Sequence, residues 1–260
     1  MANHWYEVGI RIYLTGRVSV EINGNVVVPE RQFRGKQGRL VFAYLVCERA
    51  RPVSREELAA VVWPENPSDG WEGALSSLTS KLAALLSTDV LKAQGVSFNR
   101  GFGQFQILLP ADVWIDLEAG NSALDRAESV LRSGEAGSAL GPATVAASIA
   151  RRPFLPGLNG FWQDSQRRKL ERQLLRALDC LYEMQVFRGE TELAVETAME
   201  VVVLDPYRER TQRFLMEAYA ANGNKAKAVG VYHDFRRPLA DDLGTEPSSE
   251  TETLYLKLLD

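Results

Sequence analysis

Residues 71–86, WEGALSSLTSKLAALL, constrain this chain more than any other stretch. Leu75, Leu78, Leu82 and Leu85 recur at helical spacing, so the segment predicts a helix with one face turned to a core. At about 100° per residue the opposite face carries Gly73, Ser76, Ser77, Ser80 and Ala84, with Lys81 on its flank. That face is small, polar and nearly flat, so a partner can approach the backbone closely. An amphipathic helix showing serines to water has the same pattern. The helix takes its meaning from its neighbours.

Upstream, the alternation in IRIYL, VSVEI and NVVV, with turns at Gly16 and Asn23-Gly24, predicts a small antiparallel meander over residues 10–28. Residues 31–39 supply Arg31, Arg34, Lys36 and Arg39 ahead of LVFAYLVCE, where Leu40, Ala43, Tyr44 and Cys47 share a helical face. Arg34 and Lys36 read equally as phosphate contacts and as a solvated loop with its first helical turn. Ser54 and Glu57 form a capping box for a helix burying Leu58, Val61 and Val62, which Trp63-Pro64 ends. Residues 65–70, rich in Pro, Asn, Ser and Asp, then connect to the 71–86 helix. Helix, short loop, helix is helix-turn-helix material. Residues 90–98 and 104–109 predict two strands joined by residues 99–103, a glycine-rich hairpin tip bearing Arg100.

Strands, three helices and a hairpin follow one another in the order of a winged helix. In that architecture the last helix before the hairpin enters the major groove and the hairpin tip meets the flanking backbone. On this reading Ser76, Ser77 and Ser80 face double-stranded DNA, and Lys81, Arg100, Arg34 and Lys36 are its phosphate contacts. Serines reach base edges poorly, so recognition rests mostly on shape and phosphate. The alternative is a scaffold or co-regulator whose winged helix has turned to protein binding.

Residues 111–260 read as all-helical, giving a chain that is mainly α with a small β part. Residues 117–131 and 143–150 predict two helices, and residues 161–188 contain no breaker over ~42 Å of helix. Leu170, Leu174, Ala177, Leu181 and Met184 form one stripe, with Leu175, Leu178 and Tyr182 beside it, and Leu178 is expected to be fully buried. Gly189 and Gly223 lie one tetratricopeptide period apart, each followed five residues on by an alanine, Ala194 and Ala228. Stacked helix pairs of this kind offer a concave surface to protein partners. Asp205-Pro206 predicts a helix N-cap and first residue, and Pro238 predicts a kink or an early helix end. The link between domains at 1–110 and 111–260 is short and apolar, and Trp114 in it has no obvious core to join, so a docked pair is expected.

The motifs Arg39-Leu40-Val41-Phe42 and PVSREELAAVVWPENP resemble the DNA-binding domain of the Streptomyces antibiotic regulatory proteins, a winged helix of response-regulator output type. VWIDLEAGNSALDRAE, PFLPGLNGFW, LDPYRERTQRFLMEAYAANGNKAKAVGVYHDFRR and LADDLGTEPSSETETLYLKLL resemble the family's second part, the bacterial transcriptional activator domain. The resemblance runs from about Gly9 to Leu259. It implies promoter binding, with a possible homodimer on repeated half-sites, followed by recruitment of RNA polymerase.

Composition excludes more than it proves. With 45 % apolar and 25 % charged residues, the chain can bury a sizeable core. No apolar run approaches the ~20 residues of a transmembrane helix, and the first residues lack the order of a secretory signal. No membrane association is expected. Cys47 and Cys180 stand in apolar helical contexts, as reduced core thiols of a cytoplasmic protein do. The net charge of −4 divides into +2 over residues 1–110 and −6 over residues 111–260, which permits a nucleic-acid partner without arguing for one. His4 and His233 are too far apart in sequence for a metal site or triad, and Gly101-Phe102-Gly103 lacks the third glycine of a dinucleotide loop. No enzyme, cofactor or metal is expected. Arg167, Arg168 and Lys169, with Arg172 and Arg176, read as a solvated face.

Overall fold

The computed structural model describes residues 9–65 and 69–260. His4, the extreme N-terminus and residues 66–68 of the predicted connecting loop lie outside the described residues. The chain divides into two compact units, one formed by residues 1–120 and 149–171, the other by residues 121–148 and 172–260.

In the first unit, β1 (Ile10–Tyr13), β2 (Ser19–Ile22) and β3 (Asn25–Val28) form the expected meander, with Ile10 opposite Ile22 and Val20 opposite Val28. Ile10, Ile12, Leu14, Val18, Val20, Ile22 and Val28 point into its core. After a 3-10 turn at Glu30–Phe33, α1 (Gly35–Cys47) passes through the centre of the unit. Burial there is wider than the single face expected, since every residue from Leu40 to Val46 is buried. The 3-10 turn, the later helices and a strand of the hairpin all pack around it. Its Cys47 thiol is pushed up to about 12 by burial, so it stays protonated.

β4 (Val53–Ser54) leads into α2 (Arg55–Val62), whose first turn is capped as predicted: the Glu57 N–H donates to Ser54 Oγ at 3.1 Å. α3 follows at Trp71–Leu86, with the predicted boundaries. The wing differs from expectation. Residues 89–93 form a short helix, α4 (Asp89–Ala93), instead of the first part of a strand, because one helical turn buries Leu91 and the positive φ of Gly95 then redirects the chain. The hairpin itself is β5 (Ser97–Gly101) and β6 (Gln104–Leu108), with β4 added along the β6 edge.

β7 (Trp114–Ile115) pairs in parallel with β1 and closes the other sheet in the order β3-β2-β1-β7. Trp114 therefore does have a core to join. Its ring packs on Tyr13 at 5.2 Å and the Arg11 guanidinium lies over it at 5.7 Å, which removes the reason for expecting a docked pair from this residue. The next residue, Asp116, opens α5 (Asp116–Arg132) and is fully buried. It accepts the backbone N–H groups of Leu14 and Thr15 (both 2.9 Å), the Thr15 hydroxyl (2.8 Å) and the Leu117 N–H (2.8 Å). Burial still outweighs these bonds and raises its carboxyl pKa. α6 (Leu140–Ala150) comes next. In the loop after it, the carbonyls of Phe154, Leu155 and Leu158 accept hydrogen bonds from Arg167, so that residue binds loop backbone instead of standing on a solvated face.

α7 (Phe161–Phe187) is the long helix expected, and both of its stripes are used: Leu170, Leu174, Ala177, Leu178, Leu181, Tyr182 and Met184 are buried. In the second unit α8 (Thr191–Leu204), α9 (Glu209–Ala221), α10 (Lys225–Leu243) and α11 (Ser249–Leu259) pack each on the next. The 34-residue period is built into the backbone. Gly189 and Gly223 both adopt φ 71°, and the following N–H groups donate back five residues: Glu190 to the Gln185 carbonyl (2.9 Å), Asn224 to that of Tyr219 (2.8 Å). With the bonds from Gly189 to Val186 and Gly223 to Ala220, both are Schellman caps. Ala194 and Ala228 are each fully buried, where one helix of a pair approaches the next.

One local expectation fails, and so does one half of another. Asp205 is the C-cap of α8, donating its N–H to the Val201 carbonyl, and α9 starts only after Arg208, whose guanidinium is held by both oxygens of Asp179 (2.9 and 2.6 Å). Of the kink or early end expected at Pro238, the early end does not occur: α10 continues to Leu243. A proline removes its own N–H and crowds the carbonyl four residues back, and the buried Phe235 and Leu239 on either side keep the helix packed across that break in the ladder.

Candidate nucleic-acid interface

α3 buries Leu75, Thr79, Leu82 and Leu86, so its inner stripe is rotated from the all-leucine one read in the sequence. Thr79 can enter the core because its hydroxyl donates to the Leu75 carbonyl at 2.9 Å, leaving no polar group unpaired. Its hydroxyl is therefore already committed to its own helix, whereas Leu78 and Leu85 are only half-buried. Glu72, Gly73, Ala74, Ser76, Ser77, Ser80, Lys81 and Ala84 are exposed, which reproduces the flat polar face.

The hairpin is fixed against this helix. Val53 and Ser54 of β4 pair with Phe105 and Gln104 of β6, and the Arg55 N–H donates to the Gly103 carbonyl at 2.9 Å. Arg100 lies within β5 opposite Phe105 and donates to Ser80 Oγ at 2.8 Å. Its expected position in the tip is thus corrected. The tip is only Phe102-Gly103, a two-residue turn with φ 51° and 73°, because Gly101 and Gln104 are already paired. Positive φ at both central residues is the requirement of a type I′ hairpin turn.

Between helix and wing lies a cleft lined by Arg55, Ser76, Arg100 and residues 101–105, with the largely buried Thr79 at its floor. On the other flank Arg34, held in the left-handed region at φ 56°, borders a shallow crevice with Lys81, Leu78 and Leu85. The structure therefore joins Ser76, Ser80 and Arg100 on one side of α3, and Lys81 and Arg34 on the other, with Ser77 exposed on the same helix. Lys36 is not brought to either group. It runs alongside Gly157, its Nζ 3.8 Å from where a Cβ would stand there.

The charge pattern sharpens the contrast. Among the described residues no carboxylate lies within 4.0 Å of the cationic heads of Arg34, Lys36, Arg55, Lys81 or Arg100. Arg39, Arg49 and Arg51, by comparison, are tied to Glu30, Glu118 and Glu57. From residue 73 to residue 111 the one acidic residue is Asp89, against Lys81, Lys92 and Arg100. The sequence reading missed Arg55 and Phe102. Arg55 was legible as the first residue after a capping serine that faces the hairpin, and Phe102 as an apolar residue between two glycines at a strand turn.

A winged helix-turn-helix with an exposed polar helix, followed in the chain by tetratricopeptide-like repeats, defines a two-part protein of mainly α class. Residues 115–259 match the family described as the bacterial transcriptional activator domain. The regulatory protein AfsR of Streptomyces coelicolor is 27 % identical over 223 residues, covering 86 % of this chain and 22 % of AfsR. The transcriptional regulator RedD of the same species is 25 % identical, covering 94 % of this chain and 71 % of RedD. A solved structure of Mycobacterium tuberculosis EmbR in complex with a low-affinity phosphopeptide shares the fold, with TM-score 0.81 and 24 % identity over 96 % of this chain and 65 % of that one. The chain belongs to the bacterial transcriptional activator domain family, among regulators of the Streptomyces antibiotic regulatory protein type. It spans about a fifth of the length of the AfsR proteins it matches. Among the described residues no helix is long and apolar enough to cross a membrane.

Proposed function

We propose that the chain is a bacterial transcriptional regulator, not an enzyme, acting in the cytoplasm by binding promoter DNA through α3 and the wing. Residues 1–110 supply the DNA-binding part, and the helical repeats within residues 111–260 supply the surface for RNA polymerase or another protein. Ser76, Ser77 and Ser80 face the major groove, Lys81, Arg34 and Arg100 take phosphates on its two sides, and Lys36 reaches backbone further out. The observation that carries the reading is the acid-poor stretch from residue 73 through the wing, beyond Glu72 in the first turn of α3, in which Lys81 and Arg100 have, among the described residues, no carboxylate within 4.0 Å. Unpaired cations beside a flat helix face suit a phosphate backbone.

A second reading has its own support. Arg100 spends a donor on Ser80, and serines alone discriminate bases weakly, so the same face suits a protein surface in a co-regulator. Titrating the full chain and Ser80→Glu against promoter DNA at low salt separates the two. A glutamate there repels phosphate and pairs with Arg100. DNA binding lost in the variant, with unchanged circular dichroism, supports the DNA reading. Equal binding by both overturns α3 as the DNA-reading helix, and no binding by the wild type supports the co-regulator.

A further inference from the structure

Phe102 is the most conspicuous residue on the wing: its exposure is 108 % of the reference value, and it is a bulky side chain at φ 51°. Both features cost free energy. A type I′ turn favours Asn or Asp followed by Gly, and a β-carbon with a ring attached is strained there. Strain held on an otherwise well-paired hairpin points to use. The hairpin is anchored by the Arg55 N–H at Gly103 and by Arg100 at Ser80, so the ring is held at a set place relative to α3. Around it the cleft is lined by Arg55, Ser76, Arg100 and Gln104, with no carboxylate among the lining residues.

We propose, resting on the DNA-binding reading above, that Phe102 is an apolar wedge. It presses between base pairs in the minor groove beside the half-site, partly unstacks one step and bends the duplex. Arg55 and Arg100 hold the phosphates on either side of the opened step. An apolar ring among unpaired cations is the composition such wedges need, because unstacking is offset by the extra backbone contact that a bend permits. The wedge also supplies what the serine face lacks. Flexible pyrimidine–purine steps deform more easily than A-tracts, so Phe102 gives sequence preference at a position read by deformability.

The test uses the full chain with Phe102→Asn, which suits the turn better than the native residue, and Phe102→Trp, which keeps a wedge. Binding is measured on duplexes whose flank carries either a TA step or an A-tract, with bending read by energy transfer between duplex ends. The expected result is about a tenfold loss of affinity on the TA duplex for Phe102→Asn, a smaller bend, and no remaining preference between flanks, with Phe102→Trp near wild type. The salt slope stays unchanged, since no charge is removed. Equal affinity, bend and flank preference in Phe102→Asn and wild type overturn the wedge while leaving the DNA reading intact. If those are equal but polymerase recruitment falls, Phe102 is a protein contact and the wedge is again overturned. Absence of wild-type binding to any duplex overturns both.

Discussion

Glu57 is held from three directions at the point where α2 meets α1. Both of its oxygens receive the Arg51 guanidinium (2.6 and 2.9 Å), one also accepts the Tyr44 hydroxyl (2.5 Å), and the backbone of Ser54 adds a smaller favourable contribution. Chiefly through Arg51, these donors bring its pKa from an ordinary 4.5 down to about 2. A carboxylate whose folded pKa is depressed stabilises the fold above its unfolded pKa and loses that contribution as pH falls towards the folded value. The winged-helix unit is therefore expected to lose stability between about pH 4.5 and 2 through this residue. In Glu57→Gln, thermal unfolding should start from a lower melting temperature near neutral pH and fall less over that range. Parallel curves for wild type and variant would show that other carboxylates set the acid limb. The residue also matters to the site, because the turn it caps begins with Arg55.

α1 depends on one close approach. A β-carbon built on Gly38 would stand 1.5 Å from the Phe33 carbonyl oxygen, which belongs to backbone and cannot swing aside. Gly38→Ala must push the 3-10 turn off α1. It should cost about 1–3 kcal/mol, as overpacking does, although alanine is the better helix former. Arg34 leaves that turn beside Lys81, so the same variant should weaken DNA binding without touching a cation. Chemical denaturation and a binding titration on one preparation check both, and a variant more stable than wild type would overturn the packing argument. The need for this glycine was not legible, because its cause is a contact with another segment. Long-period features were legible: the α3 boundaries, the meander, both stripes of α7 and the 34-residue glycine spacing all follow from repetition along the chain. Short or non-local ones were not. β7 is two residues in parallel pairing with a strand about 100 residues away, and α4 is a single turn within an apolar run. At the site, the serine face was legible from helical spacing, whereas the burial of Thr79 was not, because a hydroxyl bonded to its own helix behaves as a core residue. Lys36 was grouped with Arg34 by sequence proximity alone, and two residues along a helix start are enough to turn it towards Gly157.

Over the whole chain the charge is unevenly spread, +2 on residues 1–110 and −6 on residues 111–260, so any attraction to DNA must come from local cations and not from net charge. Among the described residues Arg34, Lys36, Arg55, Lys81 and Arg100 have no carboxylate within 4.0 Å, and each phosphate they neutralise contributes about −0.9 to the slope of log K against log salt. One copy on one half-site is therefore expected to show a slope no steeper than about −5, with weak affinity even at low salt. Two copies on repeated half-sites should about double the slope and bind cooperatively, giving useful affinity at the salt where one site is already released. Lys81→Ala should reduce the slope by about one per copy, equally on specific and non-specific DNA, since a phosphate contact carries no base information. The measurement is a filter-binding series on duplexes carrying one or two half-sites, with wild type and Lys81→Ala. A single-site slope near zero would mean that these cations do not meet phosphate at all. A single-site slope near −10 would require cations beyond these five, drawn from elsewhere in the chain.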